Sequence, residues 1–282
     1  MFLIIFGFPS KNELISFKCG VDSDPTFSKF LYVNPIENAI SHLGNRRLDS
    51  EGFKNFRIHL DTYNLEEEMK EYNLTHYRSL FIDSMNKVIE TLESLLRVKE
   101  TGCYYFTDED IKHIGINFWD KTKIGNEAIN KSLSSCIIDI DLFIFSRFSK
   151  DNELSNTSLA IGGPRYLAPE TGRPLIGIVI INRIVDYSKI NSKYFQSIII
   201  HEFTHILGFL GYFFKDIYHN VFTKINQFNI TKAFINSTKV IRVARKYFNF
   251  PDVEGIELAK YSGNRSASSH LGKKNIIRRL YE

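Results

Sequence analysis

The stretch "SIIIHEFTHILGFL", from Ser197 to Leu210, places two histidines and a glutamate inside an otherwise apolar run. An apolar run of this length predicts a core element, here a helix from Ser188 to Leu210. Its last turn meets Gly208 and Gly211, and glycines commonly end helices by adopting positive φ. Burying an imidazole or a carboxylate is costly unless a partner compensates it. The fold therefore has to bring a partner to these polar side chains.

A divalent metal ion is the partner that this spacing favours. Residues four apart lie on one face of a helix, so His201 and His205 can present two imidazole nitrogens to one point. Glu202 is turned away from direct ligation but can reach a metal-bound water, which suits a general base. Zinc lowers the pKa of that water and polarises a scissile carbonyl. The plain alternative is a pair of core histidines, and the apolar surroundings favour a single bound Zn²⁺.

A catalytic zinc site needs a third protein ligand, and the residues alone leave its identity open. In the compact version of this site, a histidine stands three residues after the glycine, but Gly211 occupies that position here. The candidates farther along are His219, Glu254, Glu257 and His270. Either glutamate would give a two-histidine, one-glutamate site of the gluzincin type.

Composition places the chain among globular proteins and excludes several classes. Of its 282 residues, 43% are hydrophobic, which supports a sizeable core. The net charge of +4 is spread along the sequence, so we expect no nucleic-acid partner. No apolar run is long enough for a transmembrane helix. The three cysteines, Cys19, Cys103 and Cys136, are too few for a disulfide scaffold.

Hydrophobic periodicity predicts an α+β fold. Alternation from Phe56 to Leu60 predicts a strand with one wet face, and apolar spacing of three and four predicts a helix from Tyr77 to Val98. Short β-branched runs predict strands at Cys136–Phe145 and Leu175–Ile181, the second after a turn-like "GGPRYLAPETGRP". A further helix is expected from Thr231 to Phe248, ahead of Pro251.

Several of these segments together resemble one family, the leishmanolysin-like zinc metallopeptidases of the metzincin group. "HEFTHILGF" is similar to their active-site helix, and "VARKYFNFPDVEGIELAKYSGNRSASSHLGKKN" is similar to the segment that carries their third histidine. "LAIGGPRYLAPETGRPLIGIVIIN" and "FRIHLDTYNLE" resemble their strands before the helix. The likeness covers Arg57 to Asn275.

The resemblance implies one zinc ion held by His201, His205 and His270, with Glu202 as the base of a metalloendopeptidase. It implies a metzincin-like catalytic subdomain at residues 51–210, with a mixed sheet and the zinc-binding helix. Residues 211–282 would form a helical, loop-rich subdomain, shorter than in the family, that supplies the third ligand. Residues 1–50 would be a pro-region or a weak signal sequence. The strand Ile178–Ile181 would border the cleft and pair with an extended protein or peptide substrate.

The resemblance also implies an extracellular or membrane-associated location, by peripheral or cell-surface attachment. The small number of cysteines keeps a cytoplasmic location open, and Phe250 stands where the family has a cysteine.

Metzincins have a methionine turn after the third histidine, whereas this chain has methionine only at positions 1, 69 and 85. The alternative function is therefore a catalytically impaired relative that acts as a zinc-stabilised binding or adhesion module. Cys19 is the N-terminal candidate for a latency switch.

Overall fold

The computed structural model describes residues 34–35, 52–99, 140–151, 153–156, 158–168, 171–210, 213, 221–225 and 231–258. The chain divides into two compact units. The larger unit runs from Pro9 to Leu207, and the smaller combines Met1–Phe8 with Gly208–Glu282. Both helices and strands are present, in keeping with the predicted α+β class.

The larger unit contains seven described strands and three described α-helices. The strands are β1 (Asn34–Pro35), β2 (Phe53–Asn55), β3 (Ile58–Asp61), β4 (Arg97–Lys99), β5 (Leu142–Phe148), β6 (Ala160–Leu167) and β7 (Pro174–Ile181). The helices are α1 (Tyr63–Glu71), α2 (Ser84–Leu95) and α3 (Ser192–Ile206). Five of the strands form a sheet in the order β1-β6-β7-β5-β3, while β2 and β4 pair separately and antiparallel.

The five-stranded sheet is mixed, as expected, and β7 lies inside it. Strands β3, β5 and β7 run parallel to one another, and β6 runs antiparallel to β7. Ile178 of β7 opposes Phe145 of β5 on one side and Gly163 of β6 on the other. The prediction that Ile178–Ile181 lies at the cleft edge and pairs with an extended substrate is therefore wrong, because both edges of β7 already have strand partners.

The first part of the stretch expected to be a turn before β7, Gly162 to Leu167, belongs to strand β6, and the turn itself follows at residues 168–173. Its glycines and Pro164 are residues that usually interrupt strands, which is why the sequence suggested a turn. In the sheet, the β6–β7 register shifts between Pro164 and Tyr166. Proline and glycine occur within strands at such irregularities and where another backbone approaches closely.

Two glycines allow α3 to pack closely against the sheet. A Cβ atom built on Gly177 of β7 would lie 2.2 Å from Cγ2 of Ile206. One built on Gly162 of β6 would lie 2.5 Å from the backbone oxygen of Glu202. Phe203 and Ile206 of α3 are fully buried. Strands β6 and β7 therefore fix the position of the helix that carries the histidine motif.

Aromatic side chains form the core between α3 and the segment before α2. Phe81 contacts Tyr187, Phe195 and Phe148 at ring-centroid distances of 4.8, 5.4 and 5.4 Å. All four side chains are less than 2% exposed. Such edge-on and tilted ring pairs add to the stability that burial provides.

The helix predicted from Tyr77 to Val98 is present, with a change of helix type near its start, and it ends earlier, at Leu95. A 3₁₀ turn at Thr75–Tyr77 and a π turn at Ser79–Asp83 precede α2. Val98 belongs to β4, whose pairing with β2 outweighs the helical spacing. The expected stripe is buried at Phe81, Met85, Val88 and Leu92, whereas Leu95 is 45% exposed.

The strand predicted at Phe56–Leu60 is β3, at Ile58–Asp61, and its second face is not uniformly wet. Asp61 is only 2% exposed, and its Oδ1 accepts a hydrogen bond of 2.8 Å from the backbone N–H of Tyr63. Burial raises the pKa of Asp61, although the Tyr63 N–H partly offsets this effect. Alternation alone did not reveal that this carboxylate accepts a hydrogen bond from the first residue of α1. The strand predicted at Cys136–Phe145 is β5, and residues 136–139 lie outside the described residues.

The smaller unit contains a sheet that the sequence did not predict. Its described elements are β8 (Val221–Ile225), β9 (Thr231–Ile235), α4 (Thr238–Phe248) and β10 (Ile256–Glu257), with the antiparallel strand order β10-β9-β8. The expectation of a helical, loop-rich subdomain is therefore wrong for these residues. The predicted helix from Thr231 begins only at Thr238, where the Ser237 side chain caps it by accepting from the Val240 N–H.

The smaller unit has an apolar core of buried side chains, which are Ile235, Val240, Ala244, Ile256 and Leu258. In the part of the chain that the structure describes, no helix is both long enough and apolar enough to cross a membrane.

Candidate active site

Helix α3 carries the histidine motif, and local signals set both of its ends. The side chain of Asn191 accepts a hydrogen bond of 2.9 Å from the backbone N–H of Tyr194, which caps the first turn. The helix ends at Ile206, and Gly208 follows with φ of 97°. Positive φ at Gly208 confirms that this glycine ends the helix, while Gly211 lies outside the described residues.

His201 and His205 meet on one face of α3. Their Nε2 atoms are 3.1 Å apart, and their ring centroids are 4.6 Å apart with the ring planes perpendicular. His205 is 1% exposed, and His201 is half-buried. Two nitrogens bound to a tetrahedral zinc ion at about 2.0–2.1 Å lie about 3.3 Å apart, so the pair fits zinc ligation. Without a metal, the same distance suits an N–H···N hydrogen bond between the rings.

Glu202 is buried between α3 and the sheet. Its side chain is 2% exposed, and Oε2 accepts a hydrogen bond of 2.7 Å from the backbone N–H of Gly162. A hydrogen bond from a backbone N–H to a carboxylate stabilises the charged form and fixes its orientation. The Gly162 N–H therefore compensates part of the cost of burying Glu202, which the sequence alone had assigned to a bound cation.

Gly162 is the site residue that sequence reasoning missed. Glycine is required there because an added Cβ would meet the backbone oxygen and the Cβ of Glu202 at 2.5 and 2.7 Å. The available signal was a pair of glycines between β-forming residues, which is typical of a close backbone approach as well as of a turn. Nothing local distinguishes these two cases.

Arg165 of β6 lies near a buried ion pair between Arg147 and Glu153. The Arg147 guanidinium forms an ion pair with Glu153, with a 2.7 Å hydrogen bond from Nη1 to Oε2. Burial lowers the pKa of Arg165 on β6 to about 10, and the nearby positive charge of Arg147 contributes. Arg165 remains protonated at neutral pH.

The third ligand remains a prediction. His270 and His219 lie outside the described residues, as does Cys19. Glu257 forms an ion pair with Lys232, with 2.9 Å between Oε2 and Nζ, which counts against a ligand role for its carboxylate. Glu254 is exposed. Within the described ranges, no group of three or more His, Cys, Asp or Glu side chains is arranged to hold a metal ion.

Comparison with known sequences places this site in a family. The sequence profile of the leishmanolysin peptidases matches residues 70–281, which include all of α3 and residues on both sides of it. The chain belongs to the leishmanolysin family. Leishmanolysin from Leishmania major is 32% identical over 109 residues, which are 37% of this chain and 17% of that protein. The chain therefore matches only a small part of the length of this relative.

The leishmanolysin family has a known general chemistry. Peptidases of this family act on proteins or peptides and are zinc-dependent in general. The residues of the present chain suit that chemistry, since two imidazole nitrogens converge beside a buried carboxylate. The matched range also contains His270, which lies outside the described residues.

Proposed function

We propose that this chain is a zinc-dependent metalloendopeptidase. The observation that carries the proposal is the convergence of His201 and His205 at 3.1 Å on the helix that also bears the buried Glu202. Membership of the leishmanolysin family supports the same reaction class. A general base one position from the first of two paired histidines suits metal-assisted hydrolysis.

His201, His205 and His270 would hold the ion, and the first two already present their nitrogens at a suitable separation. When bound, zinc supplies a Lewis acid that promotes deprotonation of water and polarises the scissile carbonyl. The imidazoles have to be neutral to bind a metal, because protonated nitrogens have no lone pair to donate. Activity should therefore fall as the pH drops below the histidine range.

Glu202 would accept a proton from the attacking water and later donate it to the leaving amine. The hydrogen bond from the Gly162 N–H holds the carboxylate in one orientation before the substrate arrives. Preorganised groups act without reorganisation at the moment of reaction. Gly162 is thus a positioning residue, and it acts through Glu202.

An extended substrate would pair with β6 rather than β7. Within the described residues, β6 has a second strand partner only at Tyr166 and Leu167, which oppose Asn34 and Pro35 of β1. Gly162 is on the other part of β6 and already contacts the proposed base. Addition of a peptide strand to a sheet edge uses main-chain hydrogen bonds, so the recognition would be largely independent of side chains.

The test compares casein and peptide hydrolysis by the wild-type chain and by Glu202→Gln, with bound zinc measured in both. Glutamine cannot take up the proton, so we expect kcat to fall by at least about a hundredfold. Zinc content should stay near one ion per chain, since Glu202 is not a ligand. Glu90→Gln changes an exposed carboxylate on α2 in the same way and should leave hydrolysis unchanged.

Equal hydrolysis by wild type and Glu202→Gln would refute the proposed mechanism. A wild-type chain that binds zinc but hydrolyses nothing would instead favour the binding or adhesion module.

A further inference from the structure

The exposed face of α4 in the smaller unit is strongly cationic. Lys239, Arg242, Arg245 and Lys246 are all exposed, and no acidic residue occurs in the helix from Thr238 to Phe248. The opposite face is packed into the apolar core through Val240 and Ala244, which are at most 1% exposed. We call the four exposed cations of α4 the basic face.

The basic face is not compensated within the described part of the chain. Lys239, Arg242 and Lys246 form no ion pair or hydrogen bond there with their side chains. Arg245 is held in place by its Nε, which donates to the backbone oxygen of Val253 at 3.0 Å. Like charges three and four residues apart on a helix destabilise it. An anionic partner would remove this repulsion.

A groove of about 690 Å³ runs along the same surface. Arg242, Arg245 and Lys246 line it together with the apolar side chains of Ile241 and Pro251. Its volume is within the range of about 300–1,000 Å³ that is typical of ligand-binding clefts. The groove therefore combines three cations with an apolar contact surface.

We propose that this groove docks an acidic segment of a polypeptide in extended conformation. Arg242 and Lys246 are one helical turn apart, a rise of about 6 Å at about 1.5 Å per residue. Alternate side chains of an extended chain point the same way at a spacing of about 6.6–6.8 Å. Carboxylates at every second position would thus face successive cations of the basic face, and guanidinium groups bind carboxylates bidentately.

Two observations favour a peptide over an anionic membrane. Helices that bind membrane surfaces insert their apolar face, and the apolar face of α4 is already buried in the core. The cations also line a concave surface, whereas a bilayer is flat at this scale. The acidic segment needs no particular relation to the proposed peptidase site, so the docking surface is independent of that function.

The experiment measures binding of a fluorescein-labelled peptide with glutamate at alternate positions, by fluorescence anisotropy. The full-length Glu202→Gln chain is used so that the peptide is not cleaved. Arg242→Glu/Lys246→Glu should weaken binding about tenfold or more, because two attractions become repulsions. Raising the salt concentration from about 0.1 M to about 1 M shortens the Debye length from about 10 Å to about 3 Å and should also weaken binding.

The control is Lys87→Glu/Lys193→Glu, which makes the same change in net charge at exposed positions of α2 and α3. It should bind the peptide nearly as tightly as the parent chain. Arg242→Gln/Lys246→Gln tests the same groove without introducing repulsion and should give an intermediate loss. Circular dichroism establishes that each variant is folded.

Three results would overturn the proposal. The first is equal peptide affinity in the groove variants and the control. The second is equal affinity for a peptide in which glutamine replaces every glutamate. The third is binding to phosphatidylserine vesicles that depends on Arg242 and Lys246 when the acidic peptide does not bind, which would assign the basic face to a lipid surface.

Discussion

A small change at Gly162 should have a large effect on the site. The added methyl group of Gly162→Ala would lie 2.5 Å from the backbone oxygen of Glu202 and 2.7 Å from its Cβ. Neither atom can rotate away, so β6 and α3 have to separate. We expect a loss of about 1–3 kcal/mol in the free energy of unfolding. We also expect a lower kcat, because the Glu202 carboxylate moves. Urea denaturation and peptide hydrolysis measure the two effects.

Gly52→Ala is the matched control for Gly162→Ala. Gly52 has φ of 78°, and an added Cβ would meet nothing within 4 Å. The change should cost about 1–2 kcal/mol through backbone conformation alone. Its kcat should match that of the wild type. A Gly162→Ala chain with wild-type stability and kcat would show that the close approach of β6 to α3 is not required.

At the residue scale, the sequence predicted what depends on local geometry. The placement of His201 and His205 on one face follows from a separation of four in one helix, and the structure brings their nitrogens to 3.1 Å. The contact between Glu202 and Gly162 joins residues 40 positions apart, so it depends on where β6 lies in the sheet. No periodicity within either segment contains that information.

Among the elements, the packing of α3 against β7 gives the next prediction. The methyl group of Gly177→Ala would lie 2.2 Å from Cγ2 of Ile206, so the variant should lose about 1–3 kcal/mol of stability. Ile206→Ala alone should lose about 2–5 kcal/mol by leaving a cavity. In the double variant, the new methyl group occupies space that Cγ2 has vacated. The combined loss should be smaller than the sum by about 0.5–3 kcal/mol.

Chemical denaturation of the four chains in this double-mutant cycle measures the coupling energy. Val240→Ala in the smaller unit, combined with Gly177→Ala, provides a pair in which no coupling is expected. If the stability loss of the double variant equals the sum of the losses of Gly177→Ala and Ile206→Ala, the two side chains do not compete for the same space.

At the element scale, the errors in the sequence predictions came from competition between local and long-range preferences. Thr231–Ile235 continues the helical spacing of α4, but its residues pair with β8 and β10 on both sides. Ser237 is a stronger boundary signal, since its hydroxyl accepts the Val240 N–H. Val98 likewise follows the spacing of α2 and yet lies in β4. Strand pairing decided both cases.

For the whole molecule, the fold class was predictable and the sheet order was not. Alternating and helical periodicities are local, and they were sufficient for the α+β class. The order β1-β6-β7-β5-β3 depends on pairings between distant segments, such as β3 with β5. The antiparallel placement of β6 beside β7 moves the candidate substrate edge by one strand from the predicted position. Such pairings join segments that are far apart in the chain, so local sequence patterns do not predict them.

The stability of the whole chain should depend on zinc, and this dependence tests the third ligand. A metal that binds only the native state at about 100 times its Kd adds about 2.7 kcal/mol. For a domain of about 150–250 residues, each kcal/mol raises Tm by about 2–4 °C. The wild-type Tm should therefore rise by about 5–11 °C on addition of zinc to the metal-free chain, as measured by calorimetry.

His205→Ala and His270→Ala should reduce this rise at the same zinc concentration. Glu257→Gln should keep it, since Glu257 pairs with Lys232. A full rise in His270→Ala, together with a lost rise in Glu257→Gln, would assign the third ligand to the glutamate.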